Sequence, residues 1–241
     1  MIESQHIIRT AERLRDRIGA RFPGAGLIGV AEKVRFEAES VDGLIRKLGR
    51  PNWALRGINV LLLIGIAGIV FYILTHFQLR LHAEDVEGFI QFLEPALGSI
   101  VFIGAFIWSL VNLENRWRRG KVLAVLHQLR SLAHLVDMHQ LAKDPERLVH
   151  RGPDTQFSHP LALSAFQLGR YLDYCSDLLS VLSKIGALWA QYFTDPEILR
   201  AVDQIENLTN GLSRKIWQKL TLLGRLMPEE KVGGDAESSV A

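Results

Sequence analysis

The 241-residue chain carries 28 lysines and arginines against 26 aspartates and glutamates, so it lacks the strongly basic field of a nucleic-acid-binding protein. Its one cysteine, Cys175, excludes an internal disulfide framework. A positive mean hydropathy beside 22% charged residues means that apolar and charged stretches are segregated along the chain.

Residues 1–56 read as N-terminal cytoplasmic helices. Over 2–20, Ile7, Ile8, Ala11, Leu14 and Ile18 fall on one side and Arg9, Arg13, Arg15 and Arg17 on the remainder. Glu3, Glu12 and Asp16 count against a signal or transit peptide, and they dilute attraction to anionic lipid. The apolar side is therefore expected to pack on another helix. Pro23, Gly24 and Gly26 end this helix, and a second is expected over 28–49, stopping near Gly49-Arg50-Pro51.

Two uncharged runs follow, 57–75 and 95–113. At 1.5 Å per residue each would span roughly 28 Å as a helix, close to the hydrocarbon thickness of a bilayer. The first holds twelve Leu, Ile, Val and Phe residues, which favour insertion by about 4–7 kcal/mol before polar costs. The second holds ten. Arg46, Lys47, Arg50 and Arg56 precede the first run. Arg116, Arg118, Arg119, Lys121 and Arg130 follow the second, whereas 76–94 holds Arg80 against Glu84, Asp85, Glu87 and Glu94. This asymmetry predicts a two-span hairpin with both termini cytoplasmic. Within the acidic outer loop 76–94, Val86, Phe89, Ile90 and Leu93 predict a short amphipathic helix.

The segment 114–226 reads as a cytoplasmic helical bundle. Val122, Leu126, Leu129, Ala133 and Val136 form one seam. Leu161, Ala165, Leu168, Leu172, Cys175, Leu179, Leu182, Gly186 and Trp189 form a coiled-coil-like second. Thr194-Asp195-Pro196-Glu197 is a helix start, and Ile198, Val202, Ile205, Thr209, Leu212, Ile216 and Leu220 form the third seam. Such amphipathic helices are expected to bury their seams in an antiparallel bundle or against other copies. The tail 227–241 is expected to be disordered.

The overall expectation is an all-α membrane protein: N-terminal helices, a two-span transmembrane hairpin and a C-terminal antiparallel bundle. No phosphate loop, CxxC pair or HExxH motif is present, so neither catalysis nor a cofactor or metal is expected. Three sets of residues stand out. Glu94, beside Pro95 at the head of the second span, would form an acidic ring in a symmetric channel, with Asn112 as a further pore candidate. Two spans, inward termini and this Glu-Pro are similar to mitochondrial calcium uniporter pores. Those carry a Trp-Asp pair just before the Glu-Pro, whereas this chain reads Ile90-Gln91-Phe92-Leu93-Glu94-Pro95. Arg130, His134 and Asp137 share a helical face, a pattern that orients an imidazole or begins a metal site. Arg116, Trp117, Arg118, Arg119 and Lys121 are placed to meet lipid headgroups.

The functional expectation is a non-enzymatic scaffold or regulatory subunit in the bacterial inner membrane, with the mitochondrial inner membrane as the other setting. Its partners would be lipids, further copies of the chain and a protein docked on the bundle, with no nucleic acid. The alternative is a subunit of an oligomeric ion channel with Glu94 at its outer ring.

Overall fold

The computed structural model describes residues 3–49, 53–76, 86–141, 143–148 and 163–226. Every regular element among them is helical: α1 (Ser4–Arg21), α2 (Gly26–Gly49), α3 (Trp53–His76), α4 (Val86–Leu141), α5 (Ala165–Tyr192) and α6 (Pro196–Leu226), with a 3-10 turn at Pro145–Leu148. The expected outer loop is described only from Val86 onward, and the tail 227–241 lies outside the described residues. The chain divides into two compact units, one of residues 1–45 and 123–241, the other of residues 46–122.

In the larger unit α1 and α2 fold back on each other. Ser4 donates to Asp42 at 3.1 Å, and Arg15 Nε lies 3.5 Å from Glu32. As one partner's number rises the other's falls, the mark of an antiparallel pair. Gly24 makes the turn at φ 82°, a left-handed conformation that costs glycine nothing because it has no Cβ. Gly26 opens α2 against the last turn of α4. A Cβ there would sit 2.5 Å from His139 Cε1, so the ring's close approach depends on glycine.

Helix α5 is the centre of this unit. The capping box joining Ser164 and Gln167 starts it. It buries the expected seam of Leu168, Leu172, Cys175, Leu179, Leu182 and Trp189. It also buries a second face of Tyr171, Tyr174, Leu178, Val181, Ile185 and Leu188. Helix α6 runs antiparallel beside it, with Gly169 near Leu223 and Gly186 near Ile205. The Asp195 carboxylate accepts from the backbone N–H groups of Glu197 and Ile198 at 2.9 and 3.4 Å, capping α6 as its sequence predicts. Helix α1 packs on α5 and buries Ile7, Ala11, Leu14 and Ile18, which confirms protein rather than lipid as its neighbour.

In the smaller unit α3 and the first part of α4 form another antiparallel pair. Asn59 Nδ2 donates to the Leu110 carbonyl at 2.8 Å, and Arg56 Nε meets Glu114 at 3.0 Å. Continuing that register brings Leu63 level with Ile107 and Ile66 level with Ile103. A Cβ at Gly65, Gly68, Gly98 or Gly104 would meet no described atom within 4 Å.

The boundaries of α4 differ from expectation. The residues predicted to form a separate loop helix and those predicted to open the second span lie in one helix, since α4 already begins at Val86 and continues through Pro95. Proline there removes one N–H from the ladder, a loss that long apolar helices tolerate. Among the described residues one helix is long and apolar enough to cross a membrane, α4 from Leu97 onward. The apolar stretch of α3, Arg56–Ile69, is shorter.

Candidate functional site

Between residues 53 and 121 the single buried residue among those described is a charged one, Glu114. The large apolar side chains of this stretch point outward. Leu61, Ile64 and Phe71 on α3 are 72%, 66% and 68% exposed, and Val101 and Phe102 on α4 are 69% and 79% exposed. The usual arrangement of a water-soluble helical pair is reversed. An apolar surface this extensive needs a cover that the described residues do not provide.

Glu114 holds the charged end of the helix pair together. Its carboxylate receives Arg56 from α3 and Arg118 from one turn further along α4. The Arg118 pair is internal to one helix, whereas Arg56 joins the two helices. Asn59 reinforces the same end through Leu110. A buried carboxylate is tolerated when its lone pairs are filled by guanidinium donors. In the sequence Arg56 reads as a topology charge and Arg118 as a topology charge and a headgroup contact, and nothing singles out Glu114. A carboxylate at the end of an apolar run, just before a run of basic residues, is the available signal.

The residues expected to carry function are placed as follows. Glu94 lies in α4, and its side chain is outside the described residues. Asn112 donates to the Trp108 carbonyl of its own helix at 2.8 Å. Of the headgroup candidates, Arg116, Trp117 and Lys121 are exposed, Arg119 is half-buried, and Arg118 is engaged by Glu114. Arg130 and His134 are exposed, while Asp137 accepts from Gln140 at 2.6 Å. Among the described residues no hydrogen bond or ion pair joins Arg130, His134 and Asp137. No set of three His, Cys, Asp or Glu side chains there is arranged to hold a metal ion.

Asp137 belongs instead to a polar seam in the larger unit, where the last turn of α4 meets α6. The Lys219 ammonium donates to the carbonyls of Gln140 and Lys143 at 2.9 and 3.2 Å, a cation at the negative end of α4. Burial lowers the proton affinity of Lys219, with Asp144 and Asp137 opposing. Lys143 lies over the Tyr171 ring. Beneath them Cys175 is fully buried, and burial pushes its thiol up to about 12, which removes it as a nucleophile. Burial also lowers the pKa of His139, with nearby Lys143 acting in the same direction.

The same unit carries an open groove of about 770 Å³ where the end of α1 passes the start of α5. It is lined by Arg17, Ala20, Arg21, Ser164, Phe166, Gln167, Arg170 and Tyr174. In the sequence Arg17 reads as part of a polar helix face, and no local pattern joins it or Arg21 to Phe166 and Arg170, some 145 residues away.

Comparison of the chain with protein-family models, with curated proteins and with solved structures finds no match.

Proposed function

We propose that this chain is a non-enzymatic integral membrane protein. In this reading α3 and α4 cross the bilayer as a two-span hairpin, and the chain's two ends form a cytoplasmic helical bundle that serves as a docking scaffold. The observation that carries this reading is the outward-facing apolar surface of α3 and α4, with a charged residue buried between them. A core helix of a water-soluble protein passes the same test of length and composition, but such a helix is mostly buried. In α4 the apolar window is 6% buried. The charge asymmetry sets the orientation, with basic flanks inside and the acidic connection outside. The bacterial inner membrane is the proposed location.

The bundle's seams are filled by its own helices, so docking falls to its outer surface rather than to an unpaired coiled-coil stripe. Lipids, further copies of the chain and a protein partner are the proposed contacts. The test is expression with a tag at each end, followed by alkaline extraction of membranes and protease treatment of sealed vesicles. The chain is expected to stay with the membrane pellet, with both tags on the cytoplasmic face. Release into the alkaline supernatant, or tags on opposite faces, would overturn the reading.

A further inference from the structure

We propose that the groove between α1 and α5 is a binding site for an organic phosphate, gripped by the guanidinium groups of Arg17, Arg21 and Arg170. The proposal concerns the bundle alone and does not depend on the membrane reading.

The first argument is the way these arginines are held. Arg21 and Arg170 lie over the Phe166 ring at 5.4 and 5.8 Å, and Arg17 lies over Tyr174 at 5.4 Å. An aromatic ring attracts a guanidinium but offers it no lone pair, so its N–H groups stay available to other acceptors. Those groups take a phosphate or carboxylate through two parallel hydrogen bonds. The rings therefore reduce the freedom of the three side chains without consuming their donors.

The second argument is the composition of the lining. Among the described residues no carboxylate lines the groove. Ser164 and Gln167 accept each other's backbone N–H in the capping box, which leaves their hydroxyl and amide N–H groups as donors. The helix start is thus already satisfied, and the anion site rests on the arginines. Acidic neighbours lie close by but are not in the lining. Asp173 is 3.6 Å from Arg170, and Asp177 feels the charge of Arg17. Arg21 has no carboxylate partner among the described residues. Three cations against two acids leave a surplus positive charge centred on Arg21.

The third argument is size. A bare inorganic anion would fill only a small part of about 770 Å³. The volume falls in the range of small-molecule sites, and exposed Phe166 offers apolar surface to the remainder of a ligand. A soluble phosphate ester and a phospholipid headgroup share this chemistry.

The experiment uses the full chain in detergent and titrates inorganic pyrophosphate by calorimetry. Saturable binding is expected. Arg21→Gln and Arg170→Gln are each expected to weaken it at least about tenfold, the loss of one charge-assisted pair. Arg21→Lys separates a built site from mere attraction, because lysine keeps the charge and lacks the fork. Full affinity in R21K, or in both glutamine variants, overturns the proposal. Arg200→Gln on exposed α6 is the control and is expected to bind as the parent does. Reconstitution into nanodiscs with and without phosphatidic acid distinguishes the sources. Competition by the lipid identifies a headgroup site, and unchanged pyrophosphate binding identifies a soluble ester. No binding of pyrophosphate, even with capture of a phosphopeptide, refutes the assignment.

Discussion

Replacing Glu114 by glutamine tests whether the buried carboxylate holds α3 to α4. The Glu114 side chain is 10% exposed and its partners Arg56 and Arg118 are 52% and 21% exposed. A hydrogen bond to a charged group contributes about 1.5–3 kcal/mol when protected, whereas an exposed ion pair contributes about 1 kcal/mol or less. Arg56 is half-exposed, so its coupling to Glu114 is expected between these limits, at about 1–2 kcal/mol. The Arg118 pair adds nothing to helix association, because both partners sit on α4. The measurement is a double-mutant cycle of Arg56→Gln and Glu114→Gln, read by dodecyl sulfate unfolding of the purified chain. A parallel readout is oxidative cross-linking of cysteines placed at Leu63 and Ile107, which the register brings level. E114Q is expected to lower the cross-link yield and R56Q to do the same, with the double variant little worse than either. Additive losses with no coupling, or no cross-link in the parent, would refute the argument.

Four further outcomes follow from the larger unit. Leu179→Ala in the centre of α5 removes a fully buried side chain and is expected to cost about 2–5 kcal/mol in chemical unfolding. A Cβ at Gly186 would meet Ile205 at an ordinary 3.6 Å, so Gly186→Ala is expected to raise stability by up to about 1 kcal/mol through helix propensity; a loss would show that the contact is tighter. His139 holds its proton less strongly folded than unfolded, because burial and Lys143 both favour the neutral ring. Its contribution is therefore complete above the ordinary histidine value of about 6.5 and is lost as pH falls through and below it. Unfolding measured from about pH 8 to 5 should show this loss, and His139→Asn should flatten it. Cys175, buried with its thiol pushed up to about 12, should resist maleimide until the protein unfolds; rapid labelling of native protein would contradict the packing of α5.

The parts of this fold that depend on neighbours along the chain are legible without coordinates. The break at Pro23–Gly26, the Asp195 cap and the apolar stripes of α5 and α6 each follow from residues within a turn or two of one another. The stripe on α5 is nevertheless only half of its burial. A 3.5-residue repeat selects Leu172 and Leu179 but passes over Tyr171, Tyr174 and Ile185, which are buried because α5 has neighbours on more than one side. The pairing that Glu114 makes is illegible for a related reason. Its decisive partner, Arg56, is 58 residues away, and basic residues beside an apolar run ordinarily signify orientation alone. The Arg21–Phe166 contact joins segments further apart still, with no local pattern to announce it.

The pairing of α1 with α5 has a consequence for biosynthesis. The α1–α2, α3–α4 and α5–α6 pairs are each made of consecutive segments, so each can close soon after it leaves the ribosome. Helix α5, however, begins at Ala165, long after α1 ends at Arg21. At roughly 5–20 residues per second the first hairpin waits on the order of ten to thirty seconds for it. Throughout that interval part of the surface formed by Ile7, Ala11, Leu14 and Ile18 stays uncovered. A nascent chain stalled before Ala165 should therefore bind a chaperone that recognises apolar helices, and one extended past Leu226 should release it.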